Sequence, residues 1–202
     1  MPKQAPSRRR PPAERLLEAA DELFYSEGIN TVGIDRVIAH AGVAKASLYS
    51  SFGSKDELIR SYLDGRREAR RERIEQAIAV YESPRDRILA VFDELGDLRG
   101  CPFIRAGAEA PAGSLIEEVN DAYRAWLRSL FLTLARRAGA SEPATLAWQL
   151  QMLYDGAAVA ARMDRSSRAA KKARLAAETL LDVATHSGQD PSRRMRSRAA
   201  GR

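Results

Sequence analysis

One cysteine in 202 residues, Cys101, leaves no partner for an internal disulfide, and the chain reads as a protein of a reducing compartment. The 2 histidines, His40 and His186, are too far apart in sequence for any recognised metal-ligand spacing. No apolar run approaches the roughly 18 residues of a membrane span. Acidic Glu14, Glu18, Asp21 and Glu22 stand where the apolar core of a secretory leader would lie. There is no Walker loop, no nucleophile elbow and no H-x-x-x-H pair. With 13 glycines and 9 prolines the chain is neither collagen-like nor disordered throughout. These absences predict a soluble, cytoplasmic protein with no catalytic residues, no metal and no cofactor; an all-α enzyme is only a distant alternative.

Charge is plentiful but unevenly placed. The formal net charge is +6. Lys3, Arg8, Arg9 and Arg10 make residues 1–12 a basic arm, and five arginines against Asp190 make 188–202 a basic tail. Together these exceed the whole net charge, so the part between them is slightly acidic. Both ends are read as disordered. Such ends can strengthen phosphate binding without reading sequence, or can simply be solvated. Arg8, Arg9 and Arg10 could serve as a minor-groove arm.

What is present is helix. Leu16, Leu17, Ala20, Leu23 and Phe24 recur at helical spacing before Gly28. Ser54 with Glu57, and Ser114 with Glu117, have capping-box spacing, and Ser83-Pro84 is a start signal. The pattern predicts an all-α fold of about nine helices, one of them short, near Phe103–Ala110. The helix after Ser54 is expected to run to about Glu82. No internal repeat is visible.

The most informative stretch runs from Thr31 to Leu58. A first short helix puts Ile34, Val37, Ile38 and Ala41 on one face. Gly42 then supplies the positive φ that a tight helix-to-helix turn requires. Val43, Leu48 and Phe52 turn a second helix back into the same core. That is a helix-turn-helix, at about residues 33–52, in which one face of the second helix is pinned and the other projects. The projecting residues are Lys45, Ala46, Tyr49 and Ser50, with Ser47 and Ser51 at the margins. Lysine can reach a phosphate or a guanine edge, and the hydroxyls can reach phosphate or base. Lys55 stands at the start of the next helix, where N–H groups and the helix dipole favour a phosphate, and Thr31 stands ahead of the first. Singly, each lysine reads as solvated surface and Tyr49 as packed; at this spacing they read together as a DNA-facing surface.

Residues 13–65 resemble the DNA-binding domain of the TetR/AcrR family of bacterial transcriptional regulators. The resemblance rests on Gly28, Ala41-Gly42-Val43, Leu48-Tyr49, Phe52 and Ser54-Lys55-Asp56-Glu57-Leu58. It implies a homodimer on a palindromic operator, usually a repressor that a small ligand releases. It also implies phosphate contacts at Thr31 and Lys55, a phosphate or base contact at Tyr49, and groove-facing positions at Lys45, Ala46, Ser47 and Ser50. The chain departs from the family at Ser51, where many relatives carry His, and at Gly33, where Thr or Ser is frequent. Operator preference therefore does not transfer. A DNA-binding dimer that is constitutive or protein-controlled, without a ligand, is the alternative.

The resemblance assigns 66–187 to a helical effector-binding and dimerisation domain. A pocket for an apolar or aromatic effector combines apolar walls with a few polar groups. Its candidate lining is Phe92, Cys101, Phe103, Glu109, Trp126, Leu130, Trp148 and Met152, although any one of these aromatics also reads as core. Cys101 reads as an inert buried thiol, with an oxidant-sensing thiol as the alternative. The small-residue runs of the last two helices place Gly156, Ala157, Ala160, Ala173, Ala177 and Leu180 in a dimer interface; packing within one chain is the other reading.

Overall fold

A computed structural model describes residues 10–95, Phe103, Ala106, 110–164, Ser166 and 168–186. Eight helices follow in order: α1 Pro12–Glu27, α2 Ile34–Ala41, α3 Lys45–Phe52, α4 Lys55–Ala79, α5 Pro84–Asp93, α6 Leu115–Arg137, α7 Pro143–Met163 and α8 Arg168–His186. The described residues include no strand, and Phe103 and Ala106 are helical, within the span expected of the short ninth helix. Cys101, Glu109, Arg8, Arg9 and the 188–202 tail lie outside the described residues. Arg10 lies inside them and pairs with Glu18 at 3.2 Å. Among the described residues no helix is long and apolar enough to cross a membrane.

The helix starts follow the sequence signals. Ser54 Oγ accepts from the Glu57 N–H at 3.1 Å, Ser83 Oγ from Asp86 at 3.4 Å, and Ser114 Oγ from Glu117 at 3.2 Å. At the last of these the Glu117 carboxylate also accepts from the N–H of Gly113, just ahead of the capping serine. α4 ends at Ala79, short of the expected Glu82. Pro84 requires an extended residue before it, and Ser83 is extended, so the chain leaves the helix ahead of that point.

The described residues group into two compact units, one within Met1–Arg70 and Arg99–Tyr123, the other within Arg71–Leu98 and Arg124–Arg202. In the first, α1 packs on α2 and α3. Its core is Leu16, Ala20 and Phe24 from α1, Val37 and Ala41 from α2, Leu48 from α3, and Leu58 and Leu63 from α4, all buried. Phe24 meets Tyr62 edge-on at 5.6 Å. In the second unit Phe92, Phe131 and Tyr154 form a buried aromatic triad with centroid separations of 5.9, 6.0 and 6.4 Å. α8 is clamped to α5 by Arg85, which reaches both Glu178 and Asp182, and by Arg174 with Asp93.

Candidate nucleic-acid interface

The turn between α2 and α3 is built around Gly42, whose φ of +61° is left-handed. Its N–H donates to Ala39 O at 3.2 Å, and that of Val43 donates to Ile38 O at 3.4 Å. Two carbonyls at the end of α2 are thereby satisfied within the turn. Arg15, from α1, adds an external clasp: its Nη2 donates to the carbonyls of Ala41 at 2.5 Å and Gly42 at 2.8 Å. The turn that aims α3 is therefore anchored to the helix beneath it.

α3 is pinned by Leu48, which is fully buried. Burying such a side chain is worth about 1.5–3 kcal/mol, enough to hold a two-turn helix with little stability of its own. Val43 and Phe52, expected to point inward, are half-buried. The opposite face carries Lys45, Ala46, Tyr49, Ser50 and Ser51, all exposed, with Ser47 half-buried at its edge. Tyr49 is 48% exposed, unusual for a tyrosine with no surface task, so the packed alternative for this residue falls away. Ser50 Oγ donates back to Ser47 O at 3.1 Å.

Gly33 and Ala44, which precede α2 and α3, supply no side-chain cap; the Arg36 and Ser47 N–H groups turn back to their carbonyls at 3.2 and 2.9 Å. Thr31 is exposed ahead of α2, and Lys55 opens α4 half-buried. The structure thus collects the sequence-selected residues around the starts of three helices.

The electrostatics of the module are not legible from sequence. Lys45 Nζ lies 3.1 Å from Asp35 Oδ1, on α2. The hydrogen bond that Lys45 donates to Asp35 and the charge of that carboxylate, with a smaller contribution from Tyr49, raise the Lys45 pKa above its ordinary value. Arg36 forks onto Glu27 at 2.5 and 2.7 Å, and His40 Nε2 lies 2.9 Å from Glu22 Oε2, so α2 is stitched to α1 along its exposed side. Sequence reasoning missed Arg15, Asp35 and Arg36. Each acts on a residue 9 to 27 positions away, where no local periodicity speaks.

The described residues expected in an effector pocket are distributed over both units. Phe92 belongs to the buried triad, and Phe103 stacks on Tyr123 at 4.2 Å in the first unit. Trp126 and Leu130 are half-buried on α6. Trp148 and Met152 are 49% and 67% exposed in the single chain. Trp148 carries the Arg128 guanidinium on its ring at 3.6 Å. Beneath it, buried Gln151 accepts from Arg128 Nε at 2.7 Å and donates to Arg124 O at 3.3 Å. An open cleft of about 450 Å³ in the first unit, between α1 and α4, is lined by residues that include Leu17, Asp21, Tyr62 and Arg66, but by none of the expected pocket residues.

The dimer candidates divide as well. Ala157, Ala173 and Ala177 are buried within their own chain, in a unit where α8 packs on both α7 and α5. Gly156 is exposed, and Ala160 and Leu180 are half-buried. Both helices also carry exposed large apolar residues: Trp148, Met152, Val159 and Met163 on α7, and Leu175 and Val183 on α8. Their spacing puts each set on one helix face.

Comparison with known proteins agrees with this geometry. Residues 16–62 match the family described as bacterial regulatory proteins, tetR family. The chain is 30% identical over 139 residues to the HTH-type transcriptional regulator LmrA of Bacillus subtilis, spanning 64% of this chain and 73% of that protein. It superposes on a TetR-family transcriptional regulator from Streptomyces coelicolor with a TM-score of 0.80 at 31% identity, covering 86% of this chain and 96% of that one. A putative regulator from Streptomyces avermitilis gives 0.75 at 34% identity, covering 87% and 98%.

Proposed function

The chain belongs to the tetR family of bacterial regulatory proteins and is a helix-turn-helix transcriptional regulator rather than an enzyme, and on that premise we propose that it represses transcription as a homodimer on a two-fold-symmetric operator until a small molecule releases it. The observation that carries this reading is the exposed Lys45–Tyr49–Ser50 face on a helix locked from behind by Leu48. Such a helix offers its N-terminal residues to base edges in a major groove. Thr31 and Lys55 flank it as phosphate contacts, and the protein works in the cytoplasm, where its DNA is.

The dimer reading is supported by the large apolar residues left exposed on α7 and α8. A monomeric soluble protein rarely leaves so many large apolar side chains exposed on two neighbouring helices, and an isologous pairing that used them would cover them in both copies. A dimer places two copies of α3 in successive major grooves, about 34–36 Å apart. α4 starts beside α3 and continues to Ala79. A ligand that repacked helices against the far part of α4 would change that spacing, provided it prefers the non-binding arrangement. The effector is read as apolar or aromatic, and 13–65 and 66–187 as the DNA-binding and effector domains.

The test is selection from a randomised duplex library at near-physiological salt. The expected result is a two-fold-symmetric motif with half-sites about one helical turn apart. Retention without a motif, lost steeply as salt rises, means that the Arg-rich ends do the binding, and the reading fails. With the operator in hand, effector candidates are screened by thermal shift and then by release from DNA.

A further inference from the structure

Resting on the reading that α3 faces DNA, we propose that Asp35 is a specificity-determining residue of the interface: by engaging Lys45 it suppresses sequence-independent phosphate binding and reserves the Lys45 ammonium for a neutral base edge. The motivating geometry is the pair across the two short helices, Asp35 Oδ1 to Lys45 Nζ at 3.1 Å, with both side chains mostly in solvent. An exposed pair of this kind adds little stability, so the fold does not need it. Its position is what matters. Lys45 is the first residue of α3 and Asp35 the second of α2, at two uncapped helix starts where a phosphate would otherwise be welcome.

Lysine has three N–H donors on one compact charge. One is given to Asp35, and the others remain free to meet acceptors on the exposed side. A guanine O6 or N7 is neutral and can accept from Lys45 while Asp35 stays in place. A phosphate oxygen would have to sit beside the Asp35 carboxylate or displace it, and like charges at that distance repel. The raised Lys45 pKa has the same origin, the carboxylate beside it. Asp35 therefore penalises the contact that carries no sequence information and leaves the one that does.

The experiment compares the full chain with Asp35→Asn, Asp35→Glu, and Asp35→Asn combined with Lys45→Ala. The probes are the duplex recovered from the randomised library and a scrambled duplex of equal length, titrated over a range of salt. Asp35→Asn is expected to tighten binding to the scrambled duplex by roughly three- to tenfold at 0.1 M salt and to steepen its salt slope by about one. Operator affinity should gain much less, so the specificity ratio falls by a similar factor. Asp35→Glu should keep the wild-type ratio, and Lys45→Ala should erase the gain. An unchanged ratio in Asp35→Asn, or a gain that survives Lys45→Ala, overturns the inference while the DNA reading stands. A wild-type chain that selects no motif overturns both.

Discussion

Arg15 and Gly42 are in direct register across the first unit: the Arg15 Nη2 that donates to the Gly42 carbonyl lies 2.9 Å from where a Cβ on Gly42 would stand. The left-handed backbone requires glycine, and an added Cβ would also press on the tip of the Arg15 guanidinium. Gly42→Ala is expected to lose about 1–2 kcal/mol from the backbone, and more if the clasp is displaced. Urea denaturation of Gly42→Ala in the wild-type and Arg15→Ala backgrounds measures the difference. Equal losses in the two would mean that the Arg15 clasp contributes nothing.

Two neighbours on α3 should separate folding from binding. Leu48→Ala removes the buried pin and is expected to destabilise the chain by about 2–5 kcal/mol. Tyr49→Ala, next in sequence but exposed, should leave the melting temperature within a degree or two and abolish operator binding. Operator affinity retained in Tyr49→Ala would remove α3 from the interface.

Lys55→Ala tests the phosphate contact at the start of α4. Binding should weaken on operator and scrambled duplex alike, and the salt slope should become shallower by about one. A loss confined to the operator would make Lys55 a base reader instead.

The exposed apolar residues of α7 and α8 give a prediction about assembly. Met152→Lys or Val183→Lys places a charge on an exposed position and should turn a dimer into a monomer by sedimentation, with little effect on helix content. Ala177→Leu, by contrast, overfills a fully buried site and should destabilise each chain by about 1–3 kcal/mol. If Ala177→Leu dissociates the dimer while Met152→Lys does not, the interface lies elsewhere.

Asp155 predicts a pH dependence. Burial raises its pKa above the ordinary carboxylate value, outweighing the pull of Arg124, whose Nη1 lies 2.6 Å away. A native pKa above the unfolded one stabilises the fold at low pH, and that contribution is lost as pH rises through the native value. Unfolding measured from about pH 3 to pH 7 should therefore show wild type losing ground to Asp155→Asn as pH increases. The opposite trend would mean that the Arg124 pair governs this carboxylate.

Much of the first unit is legible in the amino-acid sequence alone. Gly42 and the spacing of Val37, Ala41 and Leu48 are local signals that place α2, α3 and the exposed face of Lys45, Tyr49 and Ser50 where the structure has them, and Ser54 places the start of α4. The second unit is less legible. Its alanine runs announce close helix packing but not its address: Ala157, Ala173 and Ala177 are buried within one chain. The bulky residues expected as pocket walls, Trp148 and Met152, lie on the outside.

The reason is geometrical. Sequence periodicity states at what angle a side chain leaves its own helix axis, so the sequence by itself determined an all-α chain, its helix starts and the face that α3 turns away from Leu48. It does not state which neighbour covers each face. That was decided only by tertiary structure, which brought Arg15 to the Gly42 turn, set Asp35 against Lys45 and left large apolar residues of α7 and α8 exposed. Each of these depends on positions far apart in the chain meeting in space, where local spacing carries no signal.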